Sequence, residues 1–78
     1  MSDSVRILGF DPGTRIAGYG IIDAAAGGEL SVVSYGAIRL QPAGRKLPIS
    51  RRLRNLYEAL DEIIREHRPG VLAVSQQG

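Results

Sequence analysis

Residues 5–23, VRILGFDPGTRIAGYGIID, decide the fold. The first six residues of this stretch are mostly apolar, and Asp11 and a Pro-Gly pair follow them. This pattern predicts a short buried strand that ends in a turn. It holds a carboxylate rigidly at the end of a strand, where hard cations such as Mg²⁺ prefer oxygen ligands. The alternative is a plain β-turn without function, because Asp, Pro and Gly in this order also satisfy a type II turn.

Two further strands follow in the pattern. Residues 17–23 predict the second, in which Gly18 and Gly20 share one face and mark a bulge or a close approach of backbone. A small-residue link, residues 24–28, predicts a hairpin connection to a third strand over residues 30–40. One face of the third strand is predicted to carry Leu30, Val32, Ile38 and Leu40, and the other Val33, Tyr35 and Ala37.

The apolar period then changes to that of an amphipathic helix. The helix is predicted to begin within residues 48–51, where Pro48 suits a first turn and Ser50 is a candidate cap. It ends at residues 68–70, and residues 71–74 predict a fourth buried strand. Tyr35 and Tyr57 are expected in the core, and Asp23 and Glu29 are expected to be solvated. The apolar stripe of the helix is Leu53, Leu56, Tyr57, Leu60, Ile63 and Ile64.

This element order predicts an α/β fold. The first three strands have short links and are expected to be antiparallel, whereas the fourth follows a helix and should lie parallel to one of them. One helix cannot cover both faces of a four-stranded sheet, so an apolar face stays open. The 78 residues are therefore expected to form one domain, 1–78, that is incomplete and truncated.

Composition excludes several classes of protein. The chain has no cysteine and one histidine, which excludes disulfide scaffolds, thiolate zinc sites and multi-histidine metal sites. No apolar run approaches the roughly 20 residues that span a bilayer, and no signal peptide is evident. A cytoplasmic protein without membrane contact is expected.

The positive charge is concentrated in one stretch. Residues 39–54 contain six basic residues and no acid, while the flanking segments are each net negative. Such a patch attracts phosphates, although the same side chains also serve simply to solvate a loop and a helix face.

Residues 7–22 closely resemble the opening of the RuvC-type Holliday-junction resolvases, in which Gly-hydrophobic-Asp-Pro-Gly precedes Gly-Tyr-Gly. The matching segments here are Gly9 to Gly13 and Gly18 to Gly20, and the resemblance continues in order through residues 69–74. It implies an RNase H-like fold, Mg²⁺-dependent nicking of four-way DNA junctions, a homodimer, and a complex with a branch-migration helicase.

The resemblance also implies a site of four acidic residues and two Mg²⁺ ions. The first acid corresponds to Asp11, as catalytic residue and metal ligand. The second is a Glu at the position that Ser75 occupies, and the last two lie beyond residue 78. Because one carboxylate cannot hold two dications against their repulsion, weak or absent Mg²⁺ binding and no resolvase activity are expected of this chain. The candidate DNA-binding residues are Thr14, Arg15, Arg45, Lys46, Arg51 and Arg52.

Two alternatives to the endonuclease remain open. One is a phosphotransferase or ATPase of the sugar-kinase and actin-like class, which would use Asp11, Gly13 and Thr14 as a phosphate loop. The other is a non-catalytic nucleic-acid-binding remnant that uses residues 39–54. ATP binding would favour the phosphotransferase. Salt-sensitive binding of nucleic acid without preference for junctions would favour the remnant.

Overall fold

The fold is a four-stranded mixed sheet with one helix on one face. The computed structural model describes residues 4–75. The elements are β1 (Val5–Asp11), β2 (Ile16–Ala24), β3 (Leu30–Arg39), α1 (Ile49–His67) and β4 (Val71–Val74). The sheet order is β3-β2-β1-β4, with β1, β2 and β3 antiparallel and β4 parallel to β1. The predicted fold class is therefore confirmed, and it places β1, the strand that ends at Asp11, in the interior of the sheet.

The core lies between α1 and the face of the sheet that it covers. Leu8 of β1 and Ile21 of β2 are register partners, and both are completely buried. Alternate residues of a strand point to the same face, so this face receives the apolar side chains of all three antiparallel strands. A cluster of four further buried side chains, Phe10, Ala17, Ile38 and Leu40, packs against Tyr19, Leu56, Ala59, Leu60 and Ile63.

A β-bulge in β3 changes which of its residues share a face. Ile21 pairs with Ser34, but Ile22 pairs with Val32, so that Val33 is the extra residue. Since side chains alternate with a period of two, the extra residue moves the start of β3 to the opposite face. The single face predicted for Leu30, Val32, Ile38 and Leu40 is therefore wrong: the first two lie on the open face and the last two on the helix face.

Helix α1 begins inside the predicted window but without the predicted cap. Pro48 is the N-cap residue, no side chain caps the helix, and the first turn contains no acidic residue. The cap predicted at Ser50 is wrong because Ser50 lies one residue inside the helix, where its own backbone is helical. At the other end Arg68 adopts a left-handed conformation with φ 49°, and its N–H donates to the carbonyl oxygen of Ile64.

Two tyrosines expected in the core lie outside it. Tyr35 is 78% exposed and Tyr57 is 72% exposed. Tyr35 is the register partner of Gly20 and therefore lies on the face of the sheet that α1 does not cover. On the helix, Leu56, Leu60 and residues in line with them contact the sheet, which turns Tyr57 away from it.

An ion pair ties the start of β1 to β2 and to the end of α1. The Arg6 guanidinium donates to both carboxylate oxygens of Asp23, at 2.8 and 2.9 Å, and to the carbonyl oxygen of His67 at 3.1 Å. Asp23, which was expected to be solvated, keeps 28% of its side chain exposed and also pairs with Arg6, because the antiparallel register places the two residues side by side. Hydrogen bonds from Arg6 lower the pKa of Asp23, and the pKa of Arg6 is raised by the same contact.

This ion pair makes the stability of the fold depend on pH. Because the pKa of Asp23 is lower in the folded chain than in the unfolded chain, its contribution is complete above the ordinary aspartate pKa of about 3.9 and is lost as pH falls through the lowered value. We expect Asp23→Asn to reduce the free energy of unfolding more at about pH 6 than at about pH 2, as measured by urea unfolding. In an Arg6→Gln background the substitution should have the same effect at both pH values; an unchanged pH dependence there would assign the effect to another partner.

Candidate functional site

Asp11 stands at the carboxyl end of β1, on the open face of the sheet. It is exposed, and its register partner on β2 is Gly18. The preceding pair on the same face is Gly9 with Gly20. A Cβ atom built at Gly18 or Gly20 would meet no heavy atom within 4 Å. The carboxylate therefore faces an open space with a floor of bare backbone, which leaves room for a large group to approach it.

Strand β4 brings Ser75 to the same place. The parallel register pairs Gly9 with Ala73 and Phe10 with Val74, and the Ser75 N–H donates to the carbonyl oxygen of Phe10 at 2.8 Å. Continued by one residue, this register sets position 75 beside Asp11. Both residues line one cleft of about 470 Å³ on the open face. The structure thus brings together the two positions that the sequence predicted for the first and second acids.

The residues of this cleft do not fit a two-ion metal site by themselves. No group of three or more His, Cys, Asp or Glu side chains that would hold a metal ion exists within residues 4–75. Asp11 supplies one carboxylate and Ser75 a neutral hydroxyl, which leaves the repulsion between two dications roughly 4 Å apart uncompensated. No reaction step is therefore assigned to a metal ion in this cleft.

The loop after Asp11 requires the glycine that follows the proline. A Cβ atom at Gly13 would overlap the backbone carbonyl oxygen of Ile16. Since that oxygen is part of the backbone at the start of β2, no side-chain movement relieves the overlap. Gly13 therefore allows the loop to fold back tightly between Asp11 and Ile16.

A second, basic pocket lies on the other side of this loop, beside the N-terminus of α1. Its volume is about 710 Å³. It brings together five of the six candidate DNA-binding residues, but Arg51 does not line it. Arg39 and Gln41 line it as well and were missed as candidates; the basic run from residue 39 was the signal that pointed to Arg39. The full lining is Thr14, Arg15, Ile16, Arg39, Gln41, Pro42, Ala43, Gly44, Arg45, Lys46 and Arg52; we call it the basic pocket.

Side-chain hydrogen bonds to backbone hold the walls of the basic pocket. The Gln41 side-chain oxygen accepts from the Leu47 N–H at 3.0 Å, and the Asn55 amide donates to the Leu40 carbonyl oxygen at 2.8 Å. Arg52 donates to the carbonyl oxygens of Leu47, at 3.1 Å, and Thr14, at 2.9 Å. The loop between β3 and α1 is therefore tied to the helix at both of its ends.

The charge in the basic pocket is uncompensated. No acidic residue lines it. The arginine–carboxylate ion pairs within residues 4–75 are Arg6–Asp23, Arg54–Glu58 and Arg65–Asp61, and none of them involves a cation of the pocket. The uncapped N-terminus of α1 adds its unsatisfied N–H groups and the positive end of the helix dipole. Together these features favour an anion such as a phosphate.

This sheet order, with one helix on one face and a carboxylate at the end of the first strand, defines a partial RNase H-like fold. The family model described as "Crossover junction endodeoxyribonuclease RuvC" matches residues 7–77. The chain therefore belongs to the RuvC family, whose members are crossover junction endodeoxyribonucleases.

Curated relatives carry the same description. The RuvC of Alkalilimnicola ehrlichii is 46% identical over 71 residues, which cover 91% of this chain and 40% of the relative. The RuvC of Pelotomaculum thermopropionicum is 46% identical over 70 residues, covering 90% of this chain and 40% of the relative. The chain thus spans about 40% of the length of these relatives.

Solved structures support the fold. T. thermophilus RuvC in complex with a Holliday junction substrate superposes with a TM-score of 0.78 at 20% identity, covering 95% of this chain and 45% of that chain. The Aquifex aeolicus PPX-GPPA enzyme superposes with a TM-score of 0.64 at 16% identity, covering 91% of this chain and 26% of that chain. Within residues 4–75, no helix has the length and apolar character that crossing a membrane demands.

Proposed function

We propose that this chain supplies the central sheet and the first catalytic carboxylate of an endonuclease that nicks four-way DNA junctions in recombination and repair. The observation that carries the proposal is Asp11, which ends the β1 strand of a RuvC-family sheet and faces an open cleft. The RuvC match favours this function over the phosphotransferase alternative.

Asp11 would act as a metal ligand, and the basic pocket would hold the DNA backbone. Arg15, Arg45 and Lys46 are exposed and without acidic partners among residues 4–75, so their charge is available to phosphates. Thr14 adds a hydroxyl at the entrance of the loop, and Arg51 lies on the adjacent first turn of α1. Contacts of this kind position DNA without reading its sequence.

The cofactor of the complete enzyme would be Mg²⁺, as a pair of ions. Two-ion phosphodiester cleavage needs the ions roughly 4 Å apart, and a single carboxylate leaves their repulsion uncompensated. We therefore expect weak or absent Mg²⁺ binding by these 78 residues and no nicking. A homodimer, a branch-migration helicase partner and a cytoplasmic location belong to the same proposal and rest on family membership.

Binding to a labelled four-way junction tests this proposal against an unbranched duplex of the same length and composition. We expect the full chain to prefer the junction by about tenfold or more, with affinity that falls as salt rises by a slope of about −0.9 per phosphate contact. We also expect no cleavage of either DNA in Mg²⁺. Fluorescence anisotropy measures the binding, and denaturing gels measure the cleavage.

Two arginine substitutions provide matched variants. Arg45→Gln removes an unpaired cation of the basic pocket, whereas Arg65→Gln removes an arginine that pairs with Asp61 near the far end of α1. The first should weaken binding and reduce the magnitude of the salt slope by about one, while the second should do neither. Equal binding of junction and duplex would instead support the non-catalytic remnant, and ATP binding without DNA binding would support the phosphotransferase.

A further inference from the structure

Arg52 differs from the other cations of the basic pocket in what its side chain touches. It lies in the first turn of α1 and is half-buried, whereas Arg15, Arg45 and Lys46 are exposed. Its Nε donates to the carbonyl oxygen of Leu47 at 3.1 Å, and its Nη1 donates to the carbonyl oxygen of Thr14 at 2.9 Å. Two edges of the guanidinium are therefore already committed to protein acceptors.

The two acceptors belong to segments that are far apart in the chain. Leu47 ends the loop between β3 and α1, and Thr14 lies in the loop that follows Asp11. Among the side-chain hydrogen bonds of residues 4–75, the bond from Arg52 Nη1 to the Thr14 carbonyl oxygen is the one that joins α1 to the loop after Asp11. A guanidinium suits this task because its donors have a fixed planar arrangement, which an ammonium lacks.

The hydrogen bonds of Arg52 join two loops that both line the basic pocket. Thr14 and Arg15, from the loop after Asp11, and Arg45 and Lys46, from the loop between β3 and α1, all line the basic pocket. Arg52 lines the same pocket and bonds the first loop at the Thr14 carbonyl oxygen and the second at the Leu47 carbonyl oxygen. Loss of this side chain would remove the bond from α1 to the loop of residues 12–15, leaving that loop its backbone bond from the Leu40 N–H to the Arg15 carbonyl oxygen at 2.8 Å. The loop of residues 40–47 would keep its bonds from Gln41 and Asn55.

We propose that Arg52 is a positioning residue that fixes the loop after Asp11 against α1, in place of the phosphate contact predicted for it from the sequence. The proposal deepens the proposed function and rests on it for its DNA-binding arm. Phosphates would be neutralised by Arg15, Arg45 and Lys46, while Arg52 would keep those cations at fixed separations. Binding would then tighten because the loops do not have to be ordered when DNA arrives.

The salt dependence of junction binding separates positioning from direct contact. We expect Arg52→Gln to weaken binding about tenfold while the slope of log affinity against log salt stays at the wild-type value. Arg45→Gln should reduce the magnitude of that slope by about one. Arg52→Lys keeps the charge but cannot bond both carbonyls in the same plane, so it should resemble Arg52→Gln. A salt slope of smaller magnitude in Arg52→Gln, or wild-type affinity in Arg52→Lys, would overturn the proposal.

Amide hydrogen exchange without DNA provides an arm that does not depend on the proposed function. The amides of residues 14–16 should exchange about tenfold faster in Arg52→Gln and Arg52→Lys, and at the wild-type rate in Arg45→Gln. Unchanged exchange in both Arg52 variants would overturn the proposal. If the wild-type chain bound no DNA, the proposed function would fail and exchange would still decide the role of Arg52. If Arg52→Gln failed to fold, as judged by far-UV circular dichroism, Arg52→Lys would decide both arms.

Discussion

Replacing Leu8 by alanine should leave the chain largely unfolded. Leu8 is completely buried and is the register partner of the equally buried Ile21. Leucine-to-alanine substitutions at such sites cost about 3–5 kcal/mol. A small domain has about 0.05–0.15 kcal/mol of stability per residue, and a sheet with one uncovered face belongs at the low end. We expect the far-UV circular dichroism signal of the folded chain to be lost, or its urea midpoint to fall to near zero.

Leu72→Ala is the matched control for this substitution. Leu72 pairs with Leu8 in the parallel register, so it stands in the same row of the sheet, but it is 55% exposed. Removal of an exposed side chain forfeits little burial and creates no cavity, so the expected cost is below about 1 kcal/mol. Similar urea midpoints for the two variants would mean that α1 does not cover β1 as described.

Replacing Ser75 by glutamate should create a divalent-cation site beside Asp11. Neighbouring strands lie about 4.8 Å apart, and register partners of a parallel pair share a face. The hydrogen bond from the Ser75 N–H to the Phe10 carbonyl continues that register, so the new carboxylate would stand next to Asp11. Two carboxylates in this position can share one Mg²⁺ or Mn²⁺. We expect the affinity for Mn²⁺ to rise about tenfold or more, measured by isothermal titration calorimetry or by loss of the free-ion electron paramagnetic resonance signal.

Asp11, the other carboxylate of the expected cation site, provides the control. Ser75→Glu combined with Asp11→Asn retains one carboxylate and should return Mn²⁺ affinity to the wild-type value. Ser75→Gln adds the same bulk without charge and should also bind no better than wild type. If Ser75→Glu and its Asp11→Asn double variant bound Mn²⁺ equally, the new glutamate would be acting alone, and position 75 would not lie beside Asp11.

Much of the fold was predictable because it depends on local period and on short links. The strands found as Val5–Asp11 and Val71–Val74 follow short, mostly apolar runs, and α1 follows a stripe with helical spacing. The bulge at Val33 was not predictable, since both registers of β3 place apolar residues on each face and only the pairing with β2 selects one. The exposure of Tyr57 depends on how α1 is rotated against the sheet, which a broad apolar stripe leaves undecided.

Some features of the candidate site were likewise predictable from local sequence, and others depend on how the strands pair. Asp11 stands out in the sequence because a carboxylate at a strand end before Pro-Gly is a local signal. Its closeness to position 75 depends on the parallel pairing of β1 and β4, which the strand order alone specifies. The catalytic and DNA-binding roles stay predictions. The sequence suggested a phosphate contact for Arg52 because charge is visible there, whereas the two carbonyl oxygens that occupy its guanidinium are not.

The placement of β4 also has a consequence for the order of events during folding. Strands β1, β2 and β3 are joined by short links and form a meander from local contacts, but β4 pairs with β1 across about 60 intervening residues. Closing so long a bare loop costs about 2 kcal/mol more chain entropy than closing a hairpin, so the β1–β4 ladder forms late. During synthesis, the meander can assemble while β4 is still inside the ribosome. We therefore expect the cleft beside Asp11 to be completed after the meander has formed, and an early meander would present the carboxylate without its neighbouring wall.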